Sequence, residues 1–246
     1  MLNRGVLVTG ASRGIGRAVA LAFAESGDRV AVHYAAARED AEETLRLLPG
    51  DGHVLVGGDI GVPEEAEAMV AAAVAGLGAV HVLVNNAAVN LPHPLAETSY
   101  ADWQQAWRKT MEVNLFGTAN ISYCAARHMI DQGIPGRIVN IGSRGAFRGE
   151  PDHPAYGATK AGVHALGQSL AVHLAPHGIA VASVAPGFVA TERVANRVTD
   201  EVRAQSPFHR VAEPEEIASA VHHLASPQAT WTSGAILNVN GASYLH

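Results

Sequence analysis

Tyr156 and Lys160 stand four residues apart in AYGATKAGVHALGQSLAVHLA, a stretch that reads as helix, so their side chains share one face. A phenol with a pKa near 10 is a poor base at neutral pH, but a neighbouring ammonium favours the phenolate and brings the group closer to working range. Such a pair can give a proton to a carbonyl oxygen or take one from an alcohol. Ser143 stands just after the run GRIVNI, where that strand ends, and can hydrogen-bond the same oxygen as charge develops there, which is electrostatic help rather than nucleophilic attack. Taken alone, YxxxK is common enough to be an ordinary exposed helix turn. Asn114, in MEVNLFGT, falls inside a helical pattern where asparagine has low propensity; a surface position is the plain alternative to a functional one.

A second group lies near the start, in Thr9-Gly10-Ala11-Ser12-Arg13-Gly14-Ile15-Gly16. The glycines let the backbone turn tightly and approach a pyrophosphate, and the helix that follows offers free N–H groups and a partial positive charge. A strand before and a helix after raise this reading above that of a simple turn. The spacing is G-x-x-x-G-x-G and not the commoner G-x-G-x-x-G.

These groups need a scaffold, and the chain supplies one in short Val/Ile-rich runs alternating with helical patterns. The expected strands are GVLVT, DRVAVHY, HVLVG, AVHVLV, GRIVNI, IAVASV and AILNV. Helices are expected near 15–26, 38–48, 63–76, 102–130, 155–175 and 214–225. This alternation predicts an α/β fold of Rossmann type, a seven-stranded parallel sheet with helices on both faces. Right-handed crossovers then bring the loops leaving the strand C-termini to one edge, where ligands bind. No repeat or linker interrupts the series, so residues 1–246 are expected to form one dinucleotide-binding domain, with a substrate lid near 188–210.

The chain resembles the short-chain dehydrogenase/reductase family, whose TGxxxGxG is matched in full by TGASRGIG. Further motifs follow in family order over almost the whole chain: Asp59-Ile60 after the third strand, Asn85-Asn86-Ala87 after the fourth, then Asn114, Ser143, Tyr156, Lys160, Pro186-Gly187 and Thr191. The resemblance implies a carbonyl/alcohol oxidoreductase in which Tyr156 is the general acid/base and Lys160 also holds the nicotinamide ribose. It further implies that Asn114 orders a water in the proton path, that Asp59 and Ile60 lie at the adenine, and that Val189 and Thr191 contact the nicotinamide amide. Gly10, Ser12, Arg13, Gly14, Ile15, Gly16, Asn86, Ala87, Pro186 and Gly187 complete the expected cofactor contacts. Ala88 departs from the family's NNAG, and its methyl is expected to be tolerated.

Enzymes of this architecture that use NAD place Asp or Glu at the end of the second strand, whereas a 2′-phosphate needs that carboxylate absent and a cation nearby. Tyr34 occupies the position here. Arg13 and Arg38 are the expected phosphate partners, with Arg38 equally suited to being a solvated helix residue near Glu42. NADP(H) is therefore expected over NAD(H).

The substrate segment is FVATERVANRVTDEVRAQSPFHRV, where Val194 and Phe208 either line the pocket or anchor the loop. SPFHRVAEPEEIA, APGFVAT and NVNGA resemble the 3-oxoacyl-(acyl-carrier-protein) reductase subgroup most. Yet the places where such reductases carry basic residues read Asp131-Gln132-Gly133 and Ala171-Val172-His173. With a net charge of −6, docking an acidic carrier protein is disfavoured, unless Arg127, Arg144 and Arg148 form a substitute patch. A free small carbonyl compound is the expected substrate, a carrier-bound acyl group the alternative, and a non-catalytic dinucleotide sensor the alternative of another class.

The same charge excludes nucleic acid as a partner. The stretch from Ala68 to Ala96 lacks charge but is broken by glycines, asparagines and Pro92, so no membrane span is expected. A single cysteine, Cys124, and an N-terminus without signal-peptide features point to the cytoplasm. Among thirteen histidines, His173 and His177 have ligand spacing, but Pro176 and Gly178 end the helix there and His222 and His223 face apart, so no metal is expected. By resemblance the chain is expected to form a homotetramer through the helices carrying Asn114 and Tyr156, the second being small and apolar nearly all round.

Overall fold

The computed structural model describes residues 3–192 and 198–245. Seven strands, β1 (Gly5–Val8), β2 (Arg29–Tyr34), β3 (Val54–Gly57), β4 (Val82–Asn85), β5 (Arg137–Ile141), β6 (Ala180–Pro186) and β7 (Ile236–Val239), form one sheet in the order β3-β2-β1-β4-β5-β6-β7. All neighbouring pairs are parallel. Each run expected as a strand is one, within a few residues. The order reverses direction between β1 and β4, which opens a crevice above their C-terminal ends.

The strands are buried on both faces because their side chains alternate. Val6 and Val8 of β1 point into one core with Val30, Val32 and Phe23. Leu7, between them, points into the other with Leu83, Met69, Ile121 and Ile138. The first core is covered by helices α1 (Gly14–Glu25), α2 (Arg38–Leu47) and later α8 (Pro214–Leu224). The second is covered by α3 (Pro63–Leu77), α5 (Thr118–Asp131) and α6 (Pro154–Leu174). Proline opens α3, α6 and α8, where its missing N–H costs nothing.

The single helix expected over 102–130 is more structured than its pattern suggests. Helix α4 (Tyr100–Met111) is capped by Ser99, whose side chain accepts from Asp102 N. It passes through a wider π-helical turn, Glu112–Gly117, before becoming α5. Such turns interrupt the hydrogen-bond ladder without ending the helix, and Asn114 lies within this one. After β6, the chain pairs Val189 with Ala212 and forms the one-turn helix α7 (Asp200–Arg203). No helix among the described residues is long and apolar enough to cross a membrane.

Candidate active site

The glycine loop shows why its residue types are required. Gly10 and Gly14 have φ of +63° and +53°, a region open to glycine and strained for other residues. A Cβ on Gly16 would lie 2.2 Å from Gly10 O, so that position admits no side chain. Arg13 precedes α1 in an extended conformation and offers no side-chain cap. The first N–H groups of α1 are left facing the crevice, the arrangement that receives a phosphate. The chain's own residues thus fit a dinucleotide.

Around this loop runs a cleft of about 360 Å³ lined by Gly10, Ser12, Arg13, Gly14, Ile15, Gly16, Tyr34, Asp59, Ile60, Asn86, Ala87 and Thr191. Asn86 holds the crevice in shape: its side-chain amide donates to Thr9 O and Gly10 O, both at 2.9 Å. Thr9 Oγ1 accepts from the backbone of Asn86 and Ala87. Asn85 turns the other way, donating to Ser122 and Asn140, and so ties β4 to β5 and α5. Burial alone would raise the Asp59 carboxyl, but the Gly61 N–H and the Lys109 ammonium at 3.1 Å hold it below the ordinary carboxylate range.

Arg38 and Ala88 stand at two edges of this cleft. The Arg38 guanidinium donates to Glu42 at 2.7 Å on the exposed face of α2, an i,i+4 pair, and also interacts with Tyr34, which lines the cleft. Ala88 lines the cleft without positive φ, since the non-glycine residues with that conformation are Asn3, His209 and Ala242 among those described. Its methyl therefore brings no backbone strain.

The second cleft, of about 670 Å³, continues from the first through Ile15, Asn86, Ala88 and Thr191 and contains Ser143, Tyr156, Lys160, Pro186, Gly187 and Val189. Lys160 is buried and donates through Nζ to Ile141 O at 2.7 Å, with the ammonium 5.6 Å from the centre of the Tyr156 ring. That distance places a positive charge beside the phenol, the condition under which a phenolate is favoured. Ser143 Oγ accepts from Gly145 N at 2.9 Å, which leaves its proton available to an oxygen in the cleft. Asn114 lies beneath, buried, not in the lining. Its amide donates to Val89 O at 2.9 Å and to Thr159 Oγ1 at 3.2 Å, and accepts from Val89 N at 2.8 Å. It thereby links the π-helical turn, the loop after β4 and the helix turn that carries Lys160.

Two histidines that the sequence did not single out organise this framework. His33 is buried at the end of β2; it accepts from Gly10 N at 2.9 Å and its other ring nitrogen meets Gly58 O at 2.9 Å. Burial pushes its pKa down, against the Gly58 contact and Asp59, and the neutral ring serves both bonds. His93 is also buried. Its Nε2 accepts from Ala155 N at 3.2 Å and its Nδ1 meets Leu91 O at 2.8 Å, while its backbone N–H donates to Asp152 O at 2.8 Å. It caps the first turn of α6 from another segment. Only the fact that α6 lacks a side-chain N-cap of its own hints at such a partner.

Phe208 is exposed and borders a neighbouring cavity with Val202 and Ser206, not the catalytic cleft. Val194 lies outside the described residues. His173 lies in the last turn of α6 and His177 in the turn after it; among the described residues no group of three His, Cys, Asp or Glu could hold a metal.

A glycine-loop crevice at the sheet's switch point, joined to a Ser, Tyr and Lys group in a cleft, defines a dinucleotide-dependent oxidoreductase. The family model described as "Enoyl-(Acyl carrier protein) reductase" matches residues 10–242. A 3-oxoacyl-[acyl-carrier-protein] reductase FabG of Staphylococcus aureus is 35% identical over 99% of this chain and 99% of its own. An L-rhamnose 1-dehydrogenase (NAD(P)(+)) of a Sphingomonas species is 37% identical, covering 98% of this chain and 96% of its own. A crystal structure of a short chain dehydrogenase from Bacillus anthracis superposes with a TM-score of 0.88 at 30% identity, covering 99% of this chain and 98% of that one. The chain belongs to the short-chain dehydrogenase/reductase family, whose enzymes interconvert alcohols and carbonyl compounds with a nicotinamide dinucleotide.

Proposed function

We propose that this protein is an NADP(H)-dependent reductase of a free small ketone or 3-oxo compound, with Tyr156 as general acid/base. The observation that carries the reading is the buried Lys160 ammonium beside the Tyr156 ring, in a cleft continuous with the glycine loop. When bound, the nicotinamide supplies the hydride in reduction and accepts it in oxidation. The chain's own residues do the rest. Tyr156 gives its phenolic proton to the substrate oxygen, and Lys160 keeps the resulting phenolate from being costly. Ser143 donates to the same oxygen as it gains charge. Asn114 ties the loop after β4 to α6.

Preference for NADP(H) rests on Tyr34 standing at the end of β2 in place of a carboxylate, and on Arg13 at the cleft. The nearest acid, Asp40, is 4.0 Å from the Arg13 guanidinium, with both side chains about half exposed, which leaves Arg13 free to turn to a 2′-phosphate. The segment near 188–210, of which 193–197 lie outside the described residues, is read as the substrate lid, with Val189 and Thr191 meeting the nicotinamide amide and the assembly a homotetramer.

The relatives named as carrier-protein reductases make the tethered acyl group the second reading. Charge at the cleft favours the free substrate. Glu97, Glu150 and Asp152 line it, and the three arginines that could replace a docking patch are engaged. Arg127 pairs with Asp131. Arg144 is buried, donating to Ser243 and Gln205 over the Phe188 ring, and Arg148 also donates to Gln205. The test compares kcat/KM for an acetoacetyl carrier protein with that for the same acyl group on a short thioester, at low and high salt. The free thioester is expected to be used at least as well; a carrier preference above tenfold that salt erases would establish the second reading.

A further inference from the structure

We infer that His33 is a positioning residue for the dinucleotide: its ring fixes the distance between the loop that receives the pyrophosphate and the segment that receives the adenine. The inference rests on the dinucleotide-dependent reading above and names a residue that joins two parts of the cofactor cleft.

The two parts leave strands that do not touch. The phosphate loop follows β1 and residues 58–60 follow β3, with β2 between them in the sheet. Their roots therefore stand about 10 Å apart, two strand spacings. At the end of the sheet Ala11 N donates to His33 O at 2.8 Å on one side, and Gly58 N donates to Tyr34 O at 3.1 Å on the other. The ring of His33 adds a second tie across the same gap. Its Nδ1 accepts from Gly10 N and its Nε2 meets Gly58 O, both at 2.9 Å. Asn86 donates to the carbonyl of the same glycine, so Gly10 is held at its N–H from β2 and at its C=O from the loop after β4. The ring borders the cleft together with Gly10, Asp59 and Ile60.

The chemistry required at this position is narrow. His33 is 1% exposed, and a ring that accepts at one nitrogen while donating at the other is the neutral imidazole. Burial favours that form, holding its pKa below the ordinary histidine range against the Gly58 carbonyl and Asp59. An aliphatic side chain could fill the same space, but it would leave the Gly10 N–H and the Gly58 carbonyl without this partner. Each would then shift toward other partners, and the two ends of the cleft would take their positions independently. A ligand that touches one end is indifferent to that change. A dinucleotide spans both, so its affinity carries the cost of restoring their separation.

The experiment measures dissociation constants for NADPH and NADH by fluorescence titration, and for adenosine and reduced nicotinamide mononucleotide by calorimetry. The proteins compared are the unaltered chain, His33→Leu and His33→Asn. His33→Leu removes both ring bonds and is expected to weaken the two dinucleotides by about tenfold, with either fragment changed by less than about threefold. With any carbonyl compound the protein turns over, the loss should fall on KM for NADPH, and kcat at saturation should change by less than about threefold. Asparagine carries Oδ1 where histidine carries Nδ1, so His33→Asn keeps the Gly10 bond, loses the one to Gly58 and should recover part of the dinucleotide affinity. Three results would each overturn the inference: dinucleotide affinity in His33→Leu within about threefold of the unaltered protein, an equal loss for dinucleotides and fragments, or His33→Asn no better than His33→Leu. Should His33→Leu not fold, His33→Asn decides against the unaltered protein. Dinucleotides weaker by about threefold with fragments unchanged then uphold the inference, and any other result overturns it. If the unaltered protein binds neither NADPH nor NADH, the dinucleotide reading itself fails and the inference with it.

Discussion

Tyr156 is the one residue whose loss should separate chemistry from binding. Phenylalanine keeps the ring against Lys160 and removes only the proton that is transferred, so Tyr156→Phe is expected to lower kcat by about 10²–10⁴-fold, the usual contribution of general acid/base catalysis. The dissociation constant for NADPH, measured by fluorescence titration, should stay within about threefold. A near-normal kcat would remove Tyr156 from the acid/base role. Arg13 is tested separately. Arg13→Ala should weaken NADPH much more than NADH, narrowing the ratio of their kcat/KM values, because only the former carries the 2′-phosphate that a guanidinium can grip. Arg38→Ala is expected to do less, since its guanidinium is already taken by Glu42. Higher kcat/KM with NADH than with NADPH in the unaltered protein would reverse the cofactor assignment.

At the scale of the element, α6 carries both Tyr156 and Lys160, and its first turn depends on His93. No side chain at the N-cap position meets the free N–H groups of α6; Ala155 N finds its acceptor in the His93 ring. His93→Phe preserves an aromatic ring beside Trp103 and Trp107 while removing the acceptor. A buried donor left without a partner costs about 1–3 kcal/mol, and for a chain of this size each kcal/mol corresponds to about 2–4 °C in Tm. Calorimetry should show that decrease, with kcat reduced as well because the turn that loosens immediately precedes Tyr156. An unchanged Tm would mean that water replaces the histidine without loss.

For the whole molecule, pH and assembly are the measurable properties. His33, His81 and His222 are all held below the ordinary histidine range, in each case chiefly by burial, with Arg4 adding to the effect at His81 and His222. In the unfolded chain they take up protons near pH 6.5, whereas the folded chain takes them up only at lower pH. Below pH 6.5 the unfolded state therefore binds more protons, and stability must fall as pH falls through that value toward the folded pKa values. Tm is expected to drop between pH 7 and pH 5.5, and His33→Asn should show a shallower slope. Exposed apolar surface belongs to the same scale. On α6, Ala158, Ala161, Ala165 and Val172 lie on an exposed stripe at helical spacing, and Phe116 and Tyr123 stand exposed on and beside α5. Small side chains in a stripe let another helix approach closely, which supports the tetramer proposed above. Light scattering at micromolar concentration should give four times the 25.6 kDa chain mass; a monomer mass would refute it.

What the sequence determined by itself is whatever depends on near neighbours. Strand runs are legible because both faces of a covered parallel strand must be apolar, and β1 to β7 fall where those runs are. The glycine loop is legible because positive φ at Gly10 and Gly14 is a local demand, and the Tyr156–Lys160 pair because helical spacing alone puts the two on one face. The tertiary structure decided what depends on distant segments. His93 meets Ala155 across 62 positions and Gly10 meets His33 across 23, and nothing in either local pattern announces the partner. Arg38 had two local possibilities, and the fold sets it between Glu42 and Tyr34. Phe208 was drawn to a neighbouring cavity by the path of the chain after β6. A hydrogen bond or a cleft is a relation between positions in space, and sequence carries that relation only where the intervening chain is too short or too regular to allow another.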